Sequence, residues 1–138
     1  MSQSPDTKEK QDANLSIKQF ENPYDRLEVK NVPNTQNEPR PKGFDSTLSY
    51  WCETAGKKVS SCVAIDPHKK ADGSDVDVND LVGAHVRVRR LACRDDEAWI
   101  VPLCKHCNSE NRKAPILLPR GVVLVPIKMS KNYPQELR

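Results

Sequence analysis

Two short runs in the last third of the chain hold the residues best suited to chemistry. One reads Val82-Gly83-Ala84-His85-Val86-Arg87-Val88-Arg89, the other Trp99-Ile100-Val101-Pro102-Leu103-Cys104-Lys105-His106-Cys107-Asn108. Cys104 and Cys107 form a C-x-x-C knuckle, which sets two thiolates at the separation of two corners of a zinc tetrahedron. Cys62 is the best third ligand, because it lies upstream in a polar turn. The fourth stays open between His68 (C-x5-H with Cys62), Asp66 (C-x3-D) and Cys52 (C-x9-C). His106, inside the knuckle, is expected to point outward, and Cys93 reads as a spare thiol in a hairpin turn. Four protein ligands make a closed, structural zinc site with no position for water or substrate. The competing reading is a redox pair. Redox C-x-x-C pairs usually open a helix in a βαβ setting, whereas here a hairpin precedes the pair, which favours zinc.

On a strand, alternate residues share a face. His85, Arg87 and Arg89 are therefore expected on one face, exposed to solvent, with Val86 and Val88 in the core. A histidine flanked by two guanidiniums is a general base beside two phosphate-binding groups. The plainer alternative is a histidine paired to a carboxylate on an exposed sheet face. Asn108 follows the knuckle at the expected start of a short helix. There it either caps the helix or offers its amide oxygen to a divalent metal. Arg112 and Lys113 extend the basic surface. Trp99 reads as core, with base stacking as the alternative. The acidic loop Asp72–Asp80 lacks the Gly and Glu of an EF-hand at the required positions and reads as a solvated loop.

The elements that must position these groups come from a lean composition. The chain has 138 residues, 36% hydrophobic and 5% aromatic. That allows one small domain, and small cores usually need a metal, disulfide or oligomeric staple. The first residues lack the apolar region of a secretory signal, and no apolar run approaches the ~20 residues of a membrane span. Five cysteines in that setting point to a reducing, cytoplasmic location and to metal or redox use. The net charge of +3 is uneven. Residues 1–42 sum to zero and 43–86 to −3, while 87–138 hold eleven basic and five acidic side chains, or +6. The basic end is also the end that carries the motifs, as expected of a nucleic-acid partner.

Residues 1–42 are polar, with prolines at 5, 23, 33, 39 and 41, and read as a flexible tail. Ile17, Phe20, Tyr24, Leu27 and Val29 interrupt it, and residues 15–30 are a candidate contact for a partner protein or a strap on the domain. The folded part, 43–138, is expected to open with a helix over Thr47–Glu53, capped by Ser46 and ended by Gly56. Leu81–Leu91 and Ala98–Leu103 read as two strands of a hairpin, and Asn108–Lys113 as a short helix stopped by Pro115. Leu117–Leu118 and Val122–Ile127 read as a closing hairpin turned at Pro119-Arg120-Gly121. The expected fold is thus a small α+β domain built on a zinc-stapled ββα unit behind a flexible N-terminal tail.

The pattern Gly83-Ala84-His85-Val86, followed by Ile100-Val101-Pro102-Leu103-Cys104-x-x-Cys107-Asn108, resembles the HNH group of the His-Me finger endonucleases. It is especially similar to small bacterial and phage HNH-like proteins, over roughly residues 50–127. The resemblance implies a ββα finger around one Mg2+ or Mn2+ ion, with His85 deprotonating the attacking water and Asn108 helping to hold the ion. It also implies a structural Zn2+ and a DNA or RNA substrate. The chain departs from the pattern in two places. Ala84 stands where the family usually has a metal-binding Asp, and Ala98 or Trp99 where an Asn would orient the histidine. Two functions follow: a metal-dependent endonuclease, or a catalytically degenerate finger that binds nucleic acid or protein, for example as a phage or mobile-element inhibitor.

Overall fold

The computed structural model describes residues 15–65, 80–109 and 115–135. These hold six strands and one helix. In chain order they are β1 (Phe20–Glu21), β2 (Leu27–Asn31), α1 (Thr47–Ala55), β3 (Leu81–Val88), β4 (Glu97–Cys104), β5 (Ile116–Leu118) and β6 (Val123–Lys128). The strands make one curled antiparallel sheet in the order β1-β6-β4-β3-β2-β5.

β3 and β4 form the long hairpin that the sequence suggests, paired from Leu81↔Cys104 to Val86↔Trp99. β4 is buried at every residue. Trp99, Val101 and Leu103 face the inside of the curl with Val86, Val88 and Leu124, while Ala98 and Ile100 face α1 with Val125 and Ile127. A strand covered on both faces reads as an unbroken apolar run, which is why Ala98–Leu103 stands out in the sequence.

The sequence also foretells the helix. The Ser49 amide donates to the Ser46 Oγ and the Ser46 amide to the Ser49 Oγ, both at 3.0 Å, a reciprocal cap on two otherwise orphan donors. Gly56 ends the helix with φ 71°, a left-handed turn that suits glycine. Tyr50 and Trp51 are its buried anchors. The Tyr50 hydroxyl donates to the Pro126 carbonyl, and the Trp51 indole N–H to the Val123 carbonyl at 2.8 Å. α1 lies on β3 so closely that a Cβ on Gly83 would stand 2.7 Å from backbone atoms of Thr47 and Leu48.

Three expectations need correction. The boundary at residue 43 is wrong for the described part of the supposed tail. β2 is an interior strand between β3 and β5, with Leu27 and Val29 at most 2% exposed. Its burial overrides a polar local composition. The closing hairpin is also not formed. β5 pairs with β2, and β6 pairs with β4 and β1. Asn22 sits in the bend between the two. Its side-chain amide donates to the carbonyls of Leu118 (3.1 Å) and Pro119 (2.9 Å). Its backbone exchanges bonds of 2.8 Å with Val122 and Gly121, so the Pro-Arg-Gly bend wraps around Asn22 and joins the two edges of the curl. Finally, the helix of the described residues precedes the β3–β4 hairpin. After the hairpin comes a turn over 105–108, and the rest of the expected helix, including Arg112 and Lys113, lies outside the described residues. No helix among the described residues is long and apolar enough to cross a membrane.

Candidate metal centre

Cys104 is the last residue of β4, and the chain turns directly after it. The Asn108 amide donates back to the Cys104 carbonyl at 3.0 Å, which carries Cys107 under Cys104. The Asn31 side-chain amide holds the Cys107 carbonyl at 2.9 Å, and Lys105 is tied to Asp80 through its amide and a 3.6 Å ion pair. Cys62 arrives on a separate segment. That segment is laid along the sheet by Val63 donating to Pro102 and Ile65 donating to Leu117.

The three sulfurs lie within 4.8 Å of one another. Sulfurs bound at ~2.3 Å to a tetrahedral ion stand about 3.8 Å apart, so little movement would bring all three onto one ion. Cys104 and Cys107 are fully buried and Cys62 partly so. The Cys107 thiol is raised far above the ordinary range by its contact with Cys62, by burial and by the neighbouring Cys104. Three thiols crowded in an apolar pocket resist ionisation, and a soft divalent cation is the partner that would offset it. This donor set can hold a metal ion. The remaining candidates divide. His68 and Asp66 lie outside the described residues. Cys52 sits on α1 in the other half of the core, away from the three sulfurs. Cys93 is half-buried, with its thiol against the Glu97 carbonyl at 3.6 Å.

His85 stands apart from the thiols. His85 pairs with Ile100, four residues back along β4 from Cys104. Strand alternation turns it to the α1 face, whereas the thiols belong to the inner cluster. His85 is not solvent-facing as the sequence suggested. It is 8% exposed, and its Nε2 has no partner among the described residues. Burial lowers its pKa from 6.5 to about 4, although the Glu38 carboxylate pulls the other way. It joins no group of three potential metal ligands among the described residues. Among the described residues no donor set for the Mg2+ ion implied by the resemblance surrounds His85.

Arg87 is not open to a phosphate either. Its guanidinium donates to the backbone carbonyls of Glu97 (3.1 Å), Tyr133 (2.9 Å) and Asp95 (2.8 Å). It pins the β3–β4 turn to the C-terminal segment. Arg89 is exposed and paired with Glu28 at 3.2 Å. Asn108 is half-buried in the turn. Trp99 is core, its indole N–H held by the Lys18 carbonyl at 3.1 Å.

Sequence reasoning missed two carboxylate nodes, a half-buried one at Glu38 and a buried one at Glu97. Glu38 accepts from the Ser130 amide (2.8 Å), the Ser130 hydroxyl (2.6 Å) and the Tyr133 hydroxyl. Burial raises its pKa, but these bonds outweigh burial and leave it lowered. Tyr133 is pushed up to about 12 by burial and by Glu38. Glu97 is fully buried and accepts from the Ser16 amide and hydroxyl and the Arg94 amide. Both nodes join residues from the supposed tail to the hairpin or the C-terminal segment, so no local pattern announces them. Comparison with protein-family models, with curated proteins and with solved structures finds no match.

Proposed function

We propose that the chain is a zinc-stapled, HNH-like binding module for nucleic acid that does not cleave it. The observation that carries this reading is the convergence of Cys62, Cys104 and Cys107 within 4.8 Å from two separate segments. Zinc is the soft, redox-inert ion that such thiolate sites favour, with His68 or Asp66 as its fourth ligand. The ion closes the end of the β3–β4 hairpin and acts as structure, not catalyst. The +6 charge of residues 87–138 supports a polyanionic partner.

Three observations favour the binding module over the endonuclease. His85 is buried, its pKa of about 4 makes it a weak base, and Arg87 spends its donors on backbone carbonyls. Metal analysis of the purified chain tests the staple. One zinc per chain is expected, lost in Cys104→Ser and kept in Cys93→Ser. Affinity for DNA or RNA is expected to fall steeply with salt, because phosphate contacts release counterions. Plasmid and RNA incubated with Mg2+ or Mn2+ should stay intact. Cleavage by the wild type that His85→Ala abolishes would restore the endonuclease. A chain free of zinc and indifferent to Cys104→Ser would remove the staple.

A further inference from the structure

Two large apolar side chains stand exposed among the described residues, Tyr24 at 44% and Leu91 at 39%. Both border the same cavity, of about 390 Å3, within the usual span of small-ligand sites. Its wall includes Phe20, Leu27 and Trp99, with Phe20 set edge-on to Trp99 at 6.2 Å between ring centroids. Lys18 and Arg90 border it as well, and no described lining residue is a carboxylate. The Arg90 guanidinium lies over the Tyr24 ring, 4.7 Å from its centroid. Among the described residues Arg90 has no carboxylate partner, unlike Arg89 with Glu28 and Arg120 with Asp25.

An apolar cavity with two cations and no counter-charge among the described residues suits a ligand that is flat and apolar on one side and anionic on the other. A purely apolar peptide would leave Lys18 and Arg90 uncompensated. A nucleobase with its phosphate meets both demands. It stacks on the Tyr24 ring or its guanidinium lid and gives its phosphate to the cations. Bases in a duplex keep their faces in the helical stack, so the fitting polymer is single-stranded.

We propose that the Tyr24–Arg90 cavity is a base-stacking pocket for single-stranded nucleic acid. This rests on the nucleic-acid reading above and gives it a location, away from the thiol cluster.

Full-length protein and a labelled oligothymidylate or oligouridylate test it by fluorescence anisotropy, with a duplex of the same length alongside. Quenching of Trp99, which lines the cavity, is a second readout. The single strand should bind more tightly than the duplex. Tyr24→Ala should weaken it at least about fivefold, Tyr24→Phe should preserve binding, and Arg90→Gln should weaken it too. Tyr24 is exposed, so an unchanged thermal melt in each variant separates lost binding from lost folding. Single-strand binding that Tyr24→Ala leaves intact, or a preference for duplex, would overturn the pocket and leave nucleic-acid binding standing. Failure to bind either probe would overturn the nucleic-acid reading and the pocket with it. Selective binding of an acidic, aromatic peptide in place of the strand would assign the cavity to a protein partner and likewise overturn the proposal.

Discussion

His85 shows most clearly how the fold redirects a residue's chemistry. The strand pattern that brings Val86 and Val88 inward is correct, but α1 and the segment around Glu38 cover the opposite face. Burial then opposes the imidazolium, and its pKa falls from 6.5 to about 4. The sign for stability follows. Between these values the unfolded chain binds a proton that the folded chain refuses, so stability is present above pH 6.5 and is lost as pH falls towards 4. Glu38 and Glu97 have lowered pKa values and lose their contribution mainly below the ordinary carboxylate range. From about pH 6.5 to 4.5 the histidine adds its own slope to any that the proposed zinc ligands contribute. Across that window wild type should lose about 2 kcal/mol more than a variant without the imidazole, read from urea midpoints. His85→Gln, which cannot take up the proton, should flatten that slope. An equal slope in both proteins would show that His85 is open to water, and the case against its role as a base would weaken.

At the scale of elements, the approach of α1 to β3 turns on one missing side chain. A methyl on Gly83 would meet Thr47 and Leu48 backbone at 2.7 Å, and backbone cannot swing aside as a flexible side chain can. Gly83→Ala should cost about 1–3 kcal/mol and lower the melting temperature. A melt equal to wild type would mean that α1 sits farther from β3. The elements also divide by how far they announce themselves. α1, β3 and β4 were legible because local rules set them: a Ser46 cap, a Gly56 stop, and apolar runs. The thiol knuckle was legible because C-x-x-C spacing is itself local, and Cys62 followed from its polar turn. The pairing of β5 and β6 was not legible. Pro119-Arg120-Gly121 looks like a hairpin bend, but it wraps around Asn22, about a hundred residues upstream, and β5 and β6 pair with other strands. β2 was hidden for a related reason. Leu27–Asn31 is five residues long between prolines and asparagines, and its apolar residues pay off only when β3 and β5 flank them.

The whole molecule is therefore less modular than its composition suggests. A polar N-terminal third and a motif-bearing remainder invite a cut at residue 42, but the contacts run across that line. β2 pairs with β3 over Val29–Asn31 and with β5 over Leu27–Val29. Ser16 supplies two of the hydrogen bonds to the buried Glu97 carboxylate, and Glu38 holds Ser130 and Tyr133. Asn31 also braces the carbonyl of Cys107, so the thiol cluster itself leans on the upstream segment. A fragment spanning residues 43–138 would leave the inner core open between β3 and β5 and would take both Ser16 bonds from the buried Glu97 carboxylate, leaving it the Arg94 amide, a change far costlier than a lost surface contact. That fragment should lack the cooperative thermal transition and near-ultraviolet circular dichroism of the full chain, and should retain zinc poorly. Binding to structural metals is coupled to folding, so the two losses should appear together. A fragment that melts and binds metal like the full chain would instead make the N-terminal strands an accessory, and the motif-bearing part would be a self-sufficient domain.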